Sequence, residues 1–175
     1  MLPWMTSWLW NAEGREAEMD KRCILFTGLQ ASGKTTFWQQ RFPDLAHVNL
    51  DTLHTRNKER QLLEDCFSSG TSFVVDNTNP TRKDRERYIV PAKENGYRII
   101  GYYFQSSIFA CKERNLRREG KARLPDVALM SVYTALELPD WEEGYDELYY
   151  VRIDQDRFVI EPWKVEEKGG NPDEV

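Results

Sequence analysis

Short apolar runs alternate with amphipathic stretches along the chain from residue 23 onward. The apolar runs have the length of buried strands and lie at Cys23–Thr27, Ala46–Leu50, Ser72–Val75, Tyr97–Phe104 and Glu147–Ile153. The amphipathic stretches between them suit helices over Lys34–Phe42, Thr52–Phe67, Asn79 to about Asn95, Ser106 or Ser107 to about Arg118, and Asp126–Leu138. This alternation predicts an α/β fold, in which helices sandwich a parallel sheet of about five strands.

Prolines and glycines indicate where the predicted helices begin and end. Pro43 ends the first helix, because its ring cannot continue an α-helix. Asn79 followed by Pro80 predicts a helix start, since asparagine caps helices and proline fits the first turn. Asn95-Gly96 predicts the end of that helix, and Pro91 inside it predicts a kink or a split.

The same pattern divides the chain into three parts. Residues 1–22 form an N-terminal extension with three tryptophans, residues 23–163 form the folded domain, and residues 164–175 form a polar C-terminal tail. The extension lacks the long apolar core of a secretory signal. We expect a poorly ordered or upstream-extended terminus, with Met19 as an internal translation start, and an amphipathic docking segment is the alternative.

The composition is that of one soluble globular domain. The chain has 175 residues, of which 40% are hydrophobic and 30% charged. The longest apolar run is about six residues, far short of the roughly 20 that cross a bilayer, so a membrane protein is excluded. Its three cysteines are widely spaced and form no CxxC pair. A disulfide scaffold or structural zinc site is therefore not expected, and a reducing cytoplasm fits best.

The charge is small in total but uneven along the chain. The net charge is −5, yet residues 82–123 carry 12 Lys/Arg and 5 Asp/Glu, a net of +7. Residues 137–175 carry 4 Lys/Arg and 13 Asp/Glu, a net of −9. The basic block is either a solvated helix face or a local site for phosphates.

A complete phosphate-loop motif follows the first predicted strand. Residues 28–35 read GLQASGKT, which fits GxxxxGK[ST] between a strand and a helix. Its glycines let backbone N–H groups point at phosphate oxygens, at the positive end of the helix dipole. Lys34 can neutralise the β and γ phosphates, and the Thr35 hydroxyl can bind Mg²⁺. The motif predicts a P-loop protein that binds ATP or GTP.

Two acids follow the next two strands of the predicted sheet. Asp51 comes after the second strand, where ligands of open parallel sheets bind, and could accept a proton from an attacking hydroxyl. A helix N-cap is its other reading. Asp76 ends the third strand like a Walker-B acid, or could hold the acceptor hydroxyl. The polar residues after it contact the acceptor or form only an Asx-rich turn; they are Asn77, Thr78 and Asn79.

The densest basic stretch, residues 112–123, is called here the arginine-rich segment. It contains Arg114, Arg117 and Arg118, and it follows the fourth strand. Arginine forks can grip phosphate oxygens as charge spreads during transfer, and Gly120 could let such a lid move. The other reading is a surface helix with pairs such as Glu113–Arg117.

Together these segments resemble the kinase domain of the polynucleotide 5′-hydroxyl kinases. The resemblance rests on GLQASGKTTF, HVNLDTL, VVDNTNPTRKDRERYI and ERNLRRE, and it covers about residues 23–153. It implies a P-loop kinase fold and transfer of the ATP γ-phosphate to a 5′-hydroxyl of DNA or RNA. Leu50 and His54 depart from the family, which often has arginine at the first position and, in the bacteriophage enzyme, at the second.

The resemblance also implies roles for individual residues. Asp51 matches the general base, with Lys34 and Arg118 as the other catalytic residues and Thr35 on Mg²⁺. The implied ATP-binding set is Gly28, Ala31, Ser32, Gly33, Lys34, Thr35, Thr36, Arg114 and Arg118. The implied acceptor-binding set is Asp51, Asp76, Asn77, Thr78, Asn79 and Arg82.

Two other functions stay open at this point. One is a P-loop kinase of a small-molecule or nucleoside hydroxyl, which would use the same loop and base. The other is a regulatory ATPase that associates with RNA or with a protein partner. The width and basicity of the groove that reaches Asp51 distinguish the first of these from a polynucleotide kinase. Failure of every acceptor to stimulate ATP turnover would favour the second. We expect nucleic acid ends as the partner and no membrane partner, and we make no prediction of oligomeric state.

Overall fold

The structure is a computed structural model that describes residues 20–164. It is built on one six-stranded sheet with strand order β2-β3-β1-β4-β5-β6. The first five strands are parallel and β6 is antiparallel to β5. The strands are β1 (Arg22–Thr27), β2 (Ala46–Val48), β3 (Phe73–Val75), β4 (Arg98–Phe104), β5 (Glu147–Asp154) and β6 (Arg157–Pro162). The α/β fold with a mainly parallel sheet is confirmed.

Helices cover both faces of this sheet. They are α1 (Lys34–Arg41), α2 (Leu50–Leu53), α3 (Arg56–Ser69), α4 (Arg82–Glu94), α5 (Ile108–Leu116) and α6 (Asp126–Ala135). Two short 3₁₀ turns lie at Gly120–Ala122 and Trp141–Glu143. Among the residues that the structure describes, no helix is long and apolar enough to cross a membrane.

The alternation of side chains along β1 creates two hydrophobic cores. Cys23 and Leu25 face one core, which α3 and α4 cover through residues such as Leu63 and Ile89. Ile24 and Phe26 face the other core, which α1 covers through Phe37. Because β1 is central and buried on both faces, its sequence is continuously apolar rather than alternating. A third small cluster joins Leu29 to α5 and α6.

Two predicted helix boundaries are wrong. The helix expected over Thr52–Phe67 is two helices, because His54 has a φ of 65° and Thr55 caps a new helix at Arg56. The helix expected from Asn79 starts at Arg82, where Thr81 forms a capping box with Asp84. Asn79 has a φ of 44°, and its side chain donates to the Phe26 carbonyl, so it does not cap.

Other differences lie at the ends of elements. Pro91 does not split α4, because it lies in the last turn, where its ring removes only one helical hydrogen bond, the one to the Arg87 carbonyl. Strand β2 stops at Val48, α5 at Leu116 and α6 at Ala135, each earlier than predicted. The sequence analysis missed β6, an edge strand whose side chains are mostly exposed. The predicted N-terminal extension up to residue 19 and the tail from residue 165 lie outside the described residues.

Candidate active site

The phosphate loop, Gly28–Thr35, joins β1 to α1 and turns tightly. Three of its residues have positive φ: Gly28 at 151°, Ala31 at 60° and Gly33 at 97°. A Cβ atom at Gly28 would lie 3.0 Å from the Phe104 Cβ and carbonyl oxygen, so the loop approaches β4 as only glycine allows. A Cβ atom at Gly33 would lie 3.1 Å from both Ile153 and Phe158. The β5–β6 hairpin therefore packs directly against the loop.

Hydrogen bonds from three other segments fix the loop. The Gly28 N–H donates to the Thr78 carbonyl at 3.0 Å, and the Leu29 N–H donates to Ser106 Oγ at 3.1 Å. Arg114 Nε donates to the Ala31 carbonyl at 2.6 Å. Because these partners come from distant parts of the chain, the shape of the loop is set by the tertiary fold.

Lys34 begins α1 and is only 7% exposed. Its ammonium donates to the carbonyls of Gly28 and Leu29, at 3.0 and 2.5 Å, and to Ser32 Oγ at 3.3 Å. Burial lowers the pKa of Lys34 to about 8, although the Asp76 carboxylate opposes the shift. The ammonium is thus held inside the loop, on atoms that a bound phosphate would replace.

Asp76 ends β3 beside the start of α1. Its Oδ2 atom accepts from Thr35 Oγ1 at 2.7 Å, lies 3.0 Å from His47 Nε2 and lies 3.2 Å from Asn49 Nδ2. Burial raises the pKa of Asp76, but the hydrogen bonds of His47 and Thr35 and the charge of Lys34 outweigh it, so the net shift is downward. Asp76 is therefore a carboxylate at neutral pH.

Thr35 and Asp76 form the protein part of a site that suits Mg²⁺. A hydroxyl and a carboxylate 2.7 Å apart are the oxygen donors that Mg²⁺ prefers. Within residues 20–164, no group of three or more His, Cys, Asp and Glu side chains could hold a metal ion. A cation that is completed by substrate phosphates and water needs no such group, so the two residues fit this metal.

Asp51 lies on α2, is exposed, and lines one cleft together with residues of the phosphate loop. The cap of α2 is Asn49, whose Oδ1 accepts from the N–H groups of Asp51 and Thr52. The N-cap reading of Asp51 is therefore wrong, and its carboxylate is left to face the cleft. The cleft has a volume of about 1020 Å³ and is also lined by Lys34, Thr35 and Arg118.

The four residues expected beyond Asp76 have different surroundings. Asn77 accepts from the Leu50 N–H and donates to Glu59 and to Tyr88, so it joins α2 to α3 and α4. Thr78 and Asn79 line the cleft, and Asn79 is 4% exposed. Arg82 is not among the lining residues: its N–H donates to Glu137, and its guanidinium lies 3.9 Å from Glu142.

The arginines of the arginine-rich segment also differ in whether they line a cavity. Arg118 lines the cleft and also a smaller cavity of about 270 Å³, which shares Ala31 and Gly33 of the loop with the cleft. Arg114 and Phe158 line that smaller cavity too. Arg117 instead pairs with Glu113 at 2.7 Å, as the surface-helix reading expected. Thr36 lines both cavities.

Sequence reasoning missed four residues that shape this site. His47 and Asn49 hold Asp76, and Arg85 forms a buried ion pair with Glu143. Arg56 lines the cleft, where its Nη1 donates to Glu59 and to the Tyr88 hydroxyl. No local motif marks their roles, since each has a partner far away in sequence. The only local signal is the short strand β2, which contains His47 and ends just before Asn49.

Comparison with known proteins places this site in a family. The sequence profile of the family described as "AAA domain" matches residues 23–139. A bifunctional polynucleotide phosphatase/kinase of Schizosaccharomyces pombe is 29% identical over 127 residues, which are 70% of this chain and 31% of the relative. A protein of Acanthamoeba polyphaga mimivirus named as a putative bifunctional polynucleotide phosphatase/kinase is 29% identical over 154 residues. These residues are 82% of this chain and 37% of the viral protein.

Solved structures share the fold of this chain, which is the predicted P-loop kinase fold. A gluconokinase from Sinorhizobium meliloti 1021 superposes with a TM-score of 0.56 at 18% identity, covering 78% of this chain and 85% of that one. By contrast, the chain spans only about a third of the length of the two curated relatives.

Proposed function

The chain belongs to the AAA-domain family of P-loop proteins, and on this premise we propose that it is an ATP-dependent polynucleotide 5′-hydroxyl kinase. The observation that carries the proposal is one cleft in which an exposed carboxylate faces a phosphate loop. The side chains of Asp51, Lys34 and Thr35 all line this cleft. This is the arrangement that transfer of a phosphoryl group to a hydroxyl requires.

The donor nucleotide would bind on the loop side. Its phosphate oxygens would accept hydrogen bonds from the loop N–H groups and from the Lys34 ammonium, which already points into the loop. The smaller cavity beside Gly33, with Phe158 in its wall, suits the nucleoside part. Mg²⁺ held by Thr35 and Asp76 would offset the charge of the β and γ phosphates.

Transfer would follow in-line attack of the acceptor hydroxyl on the γ phosphorus. Asp51 would accept the hydroxyl proton as the new oxygen–phosphorus bond forms. The bond from the γ phosphorus to the bridging oxygen would break, and ADP would leave with that electron pair. Lys34 and Arg118 would stabilise the charge that spreads over the transferring group.

Arg56 supports an acceptor that carries a phosphate. Nη1 makes both of its hydrogen bonds, to Glu59 and Tyr88, and within the described residues Nη2 and Nε have no hydrogen-bond partner. The guanidinium is therefore anchored at one edge and half exposed to the cleft at the other. A cation held in this way suits the phosphodiester next to a 5′-hydroxyl. The names of the two curated relatives agree with such an acceptor.

A kinase of a small neutral acceptor is the second candidate. The observation in its favour is Leu50, an apolar side chain that lines the cleft beside Asp51. An apolar wall at this point suits a compact substrate better than a charged strand.

The test is transfer of labelled phosphate from ATP, with Mg²⁺, to 5′-hydroxyl DNA and RNA oligonucleotides. A nucleoside 3′-phosphate and the same nucleoside without phosphate serve as small acceptors. Asp51→Asn should lower turnover by about 10²–10⁴-fold while nucleotide binding stays unchanged. Arg56→Gln should weaken binding of the phosphate-bearing acceptors and leave binding of the nucleoside without phosphate unchanged.

Two exposed residues on α3 provide matched controls. Asp65→Asn and Arg60→Gln make the same changes of charge outside the cleft and should behave like the parent protein. Label on a small neutral acceptor but on no oligonucleotide would overturn the proposal in favour of the second candidate. Nucleotide hydrolysis that no acceptor stimulates would instead indicate a regulatory ATPase.

A further inference from the structure

His47 connects the two sides of the donor site through its ring. It lies on β2, next to β3 in the sheet, and its Nε2 atom lies 3.0 Å from Asp76 Oδ2. The flat face of the ring stacks on Trp38 of α1, with 3.6 Å between ring centroids and 7° between planes. Trp38 is one helical turn beyond Thr35. The imidazole is thus held by the helix that carries Thr35, and it reaches the acid at the end of β3.

The hydrogen-bond roles of this ring follow from its neighbours. A carboxylate oxygen accepts hydrogen bonds, and Thr35 and Asn49 already donate to the same Oδ2 atom. His47 Nε2 therefore carries a hydrogen and donates it to Oδ2. The His47 side chain is 16% exposed, so the bond forms where water competes little.

A cation at this site would share the Thr35 hydroxyl with Asp76, because that oxygen has lone pairs for the cation and a hydrogen for Oδ2. The other two donors of Oδ2 are Asn49 and His47. Asn49 is already committed by its Oδ1 to the cap of α2, and its Nδ2 also donates to the Asp76 carbonyl at 2.7 Å. Its contact with Oδ2 is the longest of the three, at 3.2 Å. His47 is therefore the donor dedicated to Oδ2, at 3.0 Å.

We propose that His47 is a positioning residue, which holds the Asp76 carboxylate in place for the metal–nucleotide complex. In the described residues, the other oxygen, Oδ1, has no hydrogen-bond partner, so the bond to Oδ2 decides where Oδ1 points. Trp38 fixes the plane of the imidazole and thereby the direction of that bond. The proposal rests on nucleotide binding at the phosphate loop, and the acceptor does not enter it.

The experiment compares two substitutions that separate the hydrogen bond from the stack. His47→Phe keeps a ring on Trp38 and removes the donor. His47→Gln keeps an amide N–H near the place of Nε2 and removes the aromatic stack. Calorimetry of ADP binding over a range of Mg²⁺ concentrations gives the concentration that half-saturates the metal-dependent step. Thermal unfolding and metal-free ADP binding report on the fold.

His47→Phe should raise the half-saturating Mg²⁺ concentration about tenfold or more, because a hydrogen bond to a charged group is lost. His47→Gln should stay within about threefold of the parent, and metal-free ADP binding should be unchanged in both. The proposal is overturned if His47→Phe keeps the Mg²⁺ dependence of the parent. It is equally overturned if the glutamine protein is as impaired as the phenylalanine one, since packing alone would then explain both. Failure of every acceptor in the kinase assay would leave this result intact.

Discussion

Helix α4 and the arginine-rich segment belong to one basic block of sequence, yet they use their arginines in opposite ways. Arg85 of α4 is fully buried, and its Nε and Nη2 each lie 2.7 Å from a carboxylate oxygen of Glu143. Its Nη1 donates to three carbonyls, those of Asn79, Pro80 and Glu137. Arg118, by contrast, is exposed and makes one long bond, of 3.4 Å, to the Ala122 carbonyl.

The difference shows that local charge density does not distinguish a structural cation from one available to a ligand. Arg85 donates its hydrogen bonds to Glu143 and to three backbone carbonyls, and it thereby fixes the turn after β3 that lines the cleft. Arg118 lines the same cleft, and most of its guanidinium N–H groups are available to a ligand. Removing the first should damage the fold, and removing the second should damage only the chemistry.

The largest effect is expected for Arg85→Met. It would leave the Glu143 carboxylate, 3% exposed, buried without its partner, so the free energy of unfolding should fall by about 3–5 kcal/mol. Urea denaturation measures this loss. The double variant Arg85→Met with Glu143→Leu should recover much of it, and Arg82→Met on the exposed start of α4 should change stability little. A loss below about 1 kcal/mol would show that the buried pair is not structural.

Arg118→Ala should give the next largest effect, and on turnover alone. Loss of a cation that stabilises the transferring phosphoryl group should lower kcat about 100-fold, while the urea midpoint stays that of the parent. Arg117→Ala is the matched control, because it removes a neighbouring arginine that is paired with Glu113 on the surface. If the two alanine proteins were equally active, the contrast between Arg85 and Arg118 would lose its functional half.

The smallest effect concerns Lys34, a buried cation that also serves the ligand. Phosphate favours the charged ammonium, and the pKa of Lys34 is about 8, so the neutral amine becomes the main form above that pH. Affinity for ADP should therefore fall as pH rises, by up to about tenfold per unit above about pH 8. Calorimetry across that range measures the slope. The Lys34→Met protein should bind ADP weakly, and its affinity should not depend on pH in this range. If the pH dependence persisted in that protein, it would come from a group other than Lys34.

The sequence was sufficient for features that local residues determine. The strands next to the phosphate loop are continuous apolar runs because both faces of the sheet are covered, and β1, β3 and β4 begin and end within a residue or two of the prediction. The break between α2 and α3 was missed, because only the left-handed backbone at His54 reveals it. Strand β6 was missed because it is an exposed edge that β5 organises.

The same division holds for the site. Loop residues such as Lys34 and Thr35 follow from a contiguous motif, and the structure brings them into one cleft with Asp51. Arg82 was grouped with the acceptor site because it stands near Asp76 in sequence, but the start of α4 directs it towards Glu142. His47 and Arg56 could not be identified, because their importance comes from Asp76 and from Tyr88, which the sheet and helices bring close.

The contact between the β5–β6 hairpin and Gly33 has a consequence for biosynthesis. The ribosome delivers the chain from its N-terminus, so the phosphate loop emerges early and its walls emerge late. Phe104 and Ser106 must be made before the loop can close on β4, and Ile153 and Phe158 before Gly33 is covered. A nascent chain halted before Ile153 would carry the complete nucleotide motif and yet lack one wall of the smaller cavity beside it.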